Sequence, residues 1–317
     1  MRLVILGAGA IGSAIGGLLA LAGCDVLLLA RGAQLAAIRD HGLAIERPGH
    51  DRAIARPAVQ DSREPTAWRT DDAIVVATKT QDVAEALREL AAPPEIPIAC
   101  ATNGVEAERI ALRHARDVYA MALLLPATFL TPGVVQVWAS PAPGAIDLGH
   151  YPDGTGDHAH AIAGELGAAG FDCEVRRNPM AWKRMKLLSN LANGIEALCG
   201  PAARSSELAA RARAEGRACY AAAGLSCISD ADDAARRSTL SWSARDGGGS
   251  TWQSLARGRS LEIDYLNGEI AMLGRLHGVA TPINVALQRE VAAAARAGAE
   301  PGAMSLAELE RRVLGNA

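Results

Sequence analysis

Met1–Gly12, MRLVILGAGAIG, is the stretch on which the fold turns. The apolar β-formers Leu3 to Leu6 run into Gly7-x-Gly9-x-x-Gly12, and the helical apolar pattern Ile15, Leu18, Leu19 and Leu21 follows at once. In that strand–turn–helix setting the spacing signals a dinucleotide-binding βα unit rather than an ordinary turn with incidental glycines. Gly7 permits the tight turn, Gly9 lets the backbone approach a pyrophosphate, and Gly12 lets helix pack closely on strand. Backbone N–H groups at the helix start, with the helix dipole, then favour a phosphate. Gly7, Ala8, Gly9, Ala10, Ile11 and Gly12 are therefore the predicted cofactor cradle.

Outward from this turn the chain alternates. Buried strands are predicted at Asp25–Ala30, Asp72–Thr78, Ile96–Thr102 and Val118–Leu125, and helices at Ala33–Arg39, Asp82–Leu90 and Val105–His114. Short strands lie around Leu43 and Ile54. Such alternation implies a parallel sheet covered on both faces, a Rossmann-type doubly wound α/β domain. Val134–Trp138 and Ala145–Leu148 alternate apolar with polar residues and are expected as antiparallel additions at one edge. Tyr151–Asp157 is a turn-rich loop and Phe171–Val175 a last strand. From Pro179 helical periodicity takes over, at Met180–Leu198, Ser206–Ala223, Asp230–Trp242, Ile263–Leu276 and Ile283–Ala297, with Gly247–Ser250 as a loop between two helices. The expected division is a nucleotide-binding domain over residues 1–178 and an all-helical domain over 179–317.

The 317-residue chain is long for one core, and its 50% hydrophobic and 21% charged residues suit a well-buried globular protein. Only 3% are aromatic, so the core is expected to be aliphatic. A net charge of −3 with scattered Lys and Arg argues against a nucleic-acid surface. The six cysteines show no CxxC spacing and mostly sit in apolar patterns, which points to buried thiols in a reducing compartment rather than disulfides or a metal site. No apolar run reaches membrane-spanning length without polar interruption, and the first strand starts at residue 3, so a cytoplasmic protein without a signal peptide is expected. Oligomeric state stays open, a homodimer included.

Particular residues carry the chemistry. A dinucleotide fold selective for NAD usually ends its second strand in Asp or Glu, to hold the ribose 2′-hydroxyl. Here the strand ends in Ala30-Arg31-Gly32, and Arg31 can pair with a 2′-phosphate, so NADP(H) is the expected cofactor. Lys79 and Asn103 follow the next strands, where ligands of open parallel sheets lie, although a surface lysine and an Asn-Gly turn are the plainer readings. Within Trp182–Asn193, residues Lys186, Asn190 and Asn193 stand at offsets of zero, four and seven, which places them on one stripe of a continuous helix. That stripe is either a solvated face or a line of amide donors and an ammonium suited to a carbonyl and a carboxylate. Two asparagines are poor helix formers for a mere solvent face. Ser250 follows three glycines, and Glu262 is expected to open a helix where the dipole favours an acid, with Asp264 competing for any role.

Together these residues resemble the ketopantoate reductase (2-dehydropantoate 2-reductase) family. The resemblance runs from GAGAIG to the distinctive LEIDYLNGEI, followed by HGVATPIN. It implies an N-terminal Rossmann domain, a C-terminal helical domain with the active site between them, and NADPH-dependent reduction of a 2-keto acid to a 2-hydroxy acid. It further implies Lys186 as general acid, Asn190 as substrate ligand, and Arg31, Lys79 and Asn103 as cofactor contacts, with Asn103 also facing substrate. Ser250 would bind the substrate's carboxylate or hydroxyl. Glu262 would hold a substrate hydroxyl or orient Lys186, at the edge of the cofactor. Pro126-Ala127-Thr128-Phe129 replaces the TH pair of many members, Gly247 stands where an Asn is frequent, and Gly194 takes the second asparagine's slot, with Asn193 one position earlier. These departures fall on the substrate side. The sequence thus also admits a reductase of another branched 2-keto acid or an imine, or a non-catalytic NADP(H)-binding redox sensor.

Overall fold

Strands covered on both faces need apolar side chains at nearly every position, and the central strands of this protein have them after their first residues. The computed structural model describes residues 1–242 and 248–315, so Gly247 lies outside the described residues. The chain opens with β1 (Arg2–Leu6), α1 (Ala10–Leu21), β2 (Val26–Ala30) and α2 (Gly32–His41). Short strands β3 (Leu43–Glu46), β4 (Ala53–Ala55) and β5 (Ala58–Asp61) precede β6 (Asp72–Val76), α3 (Val83–Leu90), β7 (Ile98–Cys100), α4 (Ala107–Ala111) and β8 (Val118–Leu124). Then follow β9 (Ala127–Thr128), β10 (Val134–Val137), β11 (Ala139–Ser140), β12 (Ala145–His150), α5 (Asp157–Ala168) and β13 (Asp172–Val175).

The main sheet has the order β13-β12-β8-β7-β6-β1-β2-β5. From β8 to β5 every pairing is parallel, and β12 joins β8 antiparallel, with β13 parallel to β12. This is the doubly wound α/β arrangement expected, with its order reversal beside β1. Alternate residues feed two cores. Leu3, Ile5, Val75 and Met121 pack with Ile15 and Leu19 of α1 and Ile162 and Leu166 of α5. Val4, Leu6, Ile74 and Val76 pack with Val83, Leu87 and Leu90 of α3 and Ala107 and Ala111 of α4.

One expectation about the edge fails. Ala145–His150 does add antiparallel to the main sheet, but Val134–Val137 does not. It lies parallel to β3 in a second sheet of order β4-β3-β10-β9. Period-two alternation reports that one face is covered, not which sheet supplies the neighbour.

The helical part comprises α6 (Pro179–Asn190), α7 (Asn193–Cys199), α8 (Glu207–Ala222) and α9 (Asp230–Ser238). The two-residue strand β14 (Ser241–Trp242) precedes α10 (Ser250–Ala256), α11 (Asn267–His277), α12 (Pro282–Arg296) and α13 (Leu306–Leu314). The chain divides into two units, Met1–Lys183 with Ser229–Ala244, and Arg184–Ile228 with Arg245–Ala317. The division runs through α6, and α9 belongs to the sheet-bearing unit.

A buried charge network explains the second point. Arg236 of α9 donates through Nε to both carboxylate oxygens of Asp147, at 3.2 and 3.0 Å. Its Nη1 reaches Asp172 Oδ2 at 2.5 Å and its Nη2 the Asp172 carbonyl at 2.7 Å. Arg176 Nε adds a 2.7 Å bond to Asp147. Arg236 and Asp147 are almost wholly buried, so each depends on the other for charge compensation. Among the described residues, no helix is long and apolar enough to cross a membrane.

Arg236→Met is expected to lower stability by about 2–4 kcal/mol, since Asp147 then keeps only part of its compensation. Urea unfolding followed by circular dichroism measures this, and a loss under about 0.5 kcal/mol would mean that α9 is held by other contacts.

Candidate active site

Three glycines at the end of β1 do three different jobs. Gly7 has φ +106°, a conformation side chains rarely adopt, and a Cβ there would sit 2.9 Å from Thr78 Cγ2. A Cβ on Gly12 would fall 1.8 Å from the Gly7 carbonyl oxygen, so α1 can meet β1 only without a side chain. At Gly9, the N-cap of α1, a Cβ would meet nothing within 4 Å. Packing within the protein therefore gives no reason for glycine at position 9; the space above it is open. Ser13 Oγ donates to the Ala8 carbonyl at 3.0 Å and accepts from Gln34 Nε2 at 3.1 Å, while Gln34 Oε1 accepts from Gly133 N at 2.7 Å. This bracing of the turn by buried Ser13 and Gln34 has no sequence signal of its own.

The neighbouring strand ends bring further groups to the same crest. Because β6 and β7 run parallel in register, Lys79 and Asn103 leave adjacent strands in the same direction. Buried Thr80 ties their turns together, its Oγ1 donating to the Asn103 carbonyl at 2.9 Å. The Thr78 and Thr102 hydroxyls are buried there, and neither has a hydrogen-bond partner among the described residues. Arg31, just past β2, donates from Nε to Ser62 Oγ and from Nη2 to Glu89 Oε2, both at 2.5 Å. Below the crest Lys183 Nζ is paired with Glu108 and donates to the Cys100 carbonyl at 3.4 Å. Both charges are buried, so Lys183, on the same helical stripe as Lys186, is committed to structure. Burial beside Glu108 also pushes the Cys100 thiol well above its usual range.

In the second unit Lys186, half-buried, and Asn190, buried, stand one turn apart on α6. Asn193 does not continue their stripe. The expected single helix breaks after Asn190, turns through Leu191-Ala192, and restarts as α7. At this break the Leu191 carbonyl accepts from Asn267 Nδ2 at 3.2 Å. Asn193 Oδ1 accepts from Arg204 Nη1 at 2.7 Å, and the same nitrogen donates to Glu196 Oε2 at 2.6 Å. Glu196 Oε1 in turn accepts from Gly249 N at 3.0 Å, fixing the residue that caps α10 just ahead of exposed Ser250. Sequence reasoning singled out Asn193 and Ser250 but missed Arg204 and Glu196, the pair that holds them. Glu262 does not open a full helix: it precedes a single 3₁₀ turn, Ile263–Tyr265, and α11 starts at Asn267. Asp264 is exposed and accepts from Gln288 Nε2 at 2.7 Å, whereas Glu262 is half-buried.

Comparison with known proteins assigns the family. The model of the ketopantoate reductase PanE/ApbA family matches residues 3–153, and that of its C-terminal part matches residues 180–295. The 2-dehydropantoate 2-reductase of Archaeoglobus fulgidus is 30% identical over 292 residues, covering 89% of this chain and 94% of that protein. This chain belongs to the ketopantoate reductase family. The Halobacterium salinarum 2-dehydropantoate 2-reductase is 26% identical over 298 residues, 89% of this chain and 95% of its own length. Among solved structures, a PanE/ApbA family ketopantoate reductase from Ralstonia eutropha aligns with TM-score 0.78 and 26% identity, covering 94% of this chain and 99% of that one. A D-mandelate dehydrogenase solved with NADH and anilino(oxo)acetate shares the fold, at TM-score 0.79 and 24% identity over 94% of this chain and 99% of its own. The chain is thus an oxidoreductase.

As a ketopantoate reductase family member, the protein shows why two of its motif asparagines are there. Asn267 Nδ2 donates to Asn284 Oδ1 at 2.9 Å, and Asn284 Nδ2 donates to the Ala212 carbonyl at 2.9 Å and to Glu215 at 2.7 Å. Glu215 also accepts from the Ile283 and Asn284 N–H groups, capping α12. LEIDYLNGEI and PIN therefore knit the helices together. At Gly194 a Cβ would come 2.6 Å from Val291 Cγ2, so an asparagine there requires Val291 to shift. Among the described residues no group of three or more His, Cys, Asp or Glu is placed to hold a metal ion.

The glycine geometry separates two substitutions. Gly12→Ala is expected to cost about 1–3 kcal/mol or more through overpacking against the Gly7 carbonyl, while Gly9→Ala changes stability by under about 0.5 kcal/mol. Thermal unfolding of both variants checks this, and equal losses would contradict the assignment of open space above Gly9.

Proposed function

We propose that this protein is an NADPH-dependent reductase that converts a 2-keto acid of the 2-dehydropantoate type to its 2-hydroxy acid. The observation that carries the reading is the open space above Gly9 at the head of α1, on a sheet whose neighbouring strands end in the buried, unpartnered hydroxyls of Thr78 and Thr102. A glycine that internal packing does not require leaves room for a ligand against bare backbone, and a pyrophosphate suits the positive end of the helix. A dinucleotide fits these residues: the Gly7–Gly12 turn would hold its pyrophosphate, Arg31 its 2′-phosphate, and Lys79 and Asn103 its nicotinamide half. The names of the aligned relatives support the substrate class.

When bound, a reduced nicotinamide supplies the hydride that a carbonyl carbon accepts. The chain's own groups supply the rest. The Lys186 ammonium stabilises charge developing on the carbonyl oxygen and donates the proton that makes it a hydroxyl. Asn190 and Asn103 orient the carbonyl, Ser250 binds the carboxylate or a hydroxyl, and Glu262 holds a substrate hydroxyl or orients Lys186. Asn193 gives its side-chain Oδ1 to Arg204, so the group it offers a substrate is its amide N–H donors. In this reading the sheet-bearing unit binds the nucleotide and the helical unit supplies the acid.

Placed acids contribute about 10²–10⁴-fold to rate, so Lys186→Ala is expected to lower kcat at least ~100-fold while NADPH affinity stays within about threefold. NADPH consumption with 2-dehydropantoate, set beside 2-keto acids of similar size, provides the assay. Undiminished turnover in that variant would remove Lys186 from the role.

A further inference from the structure

Resting on the reading of Arg31 as the group that meets a 2′-phosphate, we propose that Glu89 sets how strongly this protein prefers NADPH over NADH. Three elements converge on that arginine. Arg31 precedes α2, Ser62 follows β5, and Glu89 lies in the last turn of α3. The Ser62 N–H donates to the Ala30 carbonyl at 3.1 Å, which fixes the serine beside the arginine. Arg31 Nε donates to Ser62 Oγ, and Nη2 to Glu89 Oε2, both at 2.5 Å.

The position of Glu89 is informative. A carboxylate in the final turn of a helix faces the negative end of the dipole, so it is disfavoured there unless a cation compensates it. Arg31 is that cation. The charges nearby cancel as well: Asp61, at the end of β5, accepts from Arg63 Nε at 3.0 Å and Nη2 at 2.7 Å. Two guanidinium groups thus face two carboxylates.

A 2′-phosphate carries about 1.5 to 2 negative charges near neutral pH and competes with Glu89 for Nη2 of Arg31. To bind, it displaces the carboxylate or sits against it. The 2′-hydroxyl of NADH carries no charge and meets no such penalty. Glu89 therefore taxes NADPH selectively, narrowing the margin that Arg31 creates. Arg31 and Glu89 are 50% and 39% exposed, so solvent screening keeps the effect modest.

The test is the affinity of the full-length protein for NADPH and for NADH, by fluorescence titration at low and moderate salt. Glu89→Gln, with Glu89→Ala as a second variant, is expected to tighten NADPH about 3- to 10-fold and to change NADH by less than about twofold, the gain shrinking as salt rises. Equal change for both cofactors, no change, or weaker NADPH binding would overturn the proposal. Arg31→Ala separates this from the parent reading: if it leaves NADPH affinity intact, Arg31 does not meet the phosphate at all.

Discussion

The approach of α1 to β1 at the Gly7 carbonyl is the tightest constraint in the sheet-bearing unit. A single methyl group on residue 12 would overlap that oxygen, and Gly7 must at the same time hold a backbone conformation closed to most side chains. These two requirements set the angle at which the first helix leaves the sheet. Beside this turn, Ser13 and Gln34 brace the backbone, with Ser13 Oγ donating to the Ala8 carbonyl. The helix start is also where a phosphate is best stabilised, so the turn that packing dictates is one that suits a phosphate.

The helical unit meets a different problem, that of burying polar side chains by linking them into networks. Asn284 joins Asn267, Glu215 and the Ala212 carbonyl, while Arg204 joins Asn193, Glu196 and the Ser189 carbonyl. Each member would cost stability if isolated, and each has at least one partner from another helical segment, although Asn267 Oδ1 is buried without one among the described residues. Such networks hold side chains in single orientations, which a site that must position a small substrate requires.

Much of the architecture could be read from residue patterns. β1, β2, β6 and β8 are apolar at nearly every position because they are covered on both faces, and a strand end locates Lys79 and Asn103 without further information. β5 was illegible because its residues are half-exposed at the sheet edge, so no apolar run marks it. α5 is built on alanines and glycines around Ile162 and Leu166, too weak a pattern to stand out. The break after Asn190 coincides with a side chain 76 residues downstream taking the Leu191 carbonyl, and the place of α9 depends on Arg236 reaching Asp147 across 89 residues. Periodicity within one segment carries no trace of such partners, which is why Asn193 looked like part of the Lys186 stripe.

The asparagines of LEIDYLNGEI and PIN give their hydrogen bonds to neighbouring helices, so these two positions of the signature serve the scaffold. A descendant that lost its chemistry while keeping this scaffold would still need both asparagines. The two asparagines consequently report shape, and a match at them does not separate working reductases from silent paralogues.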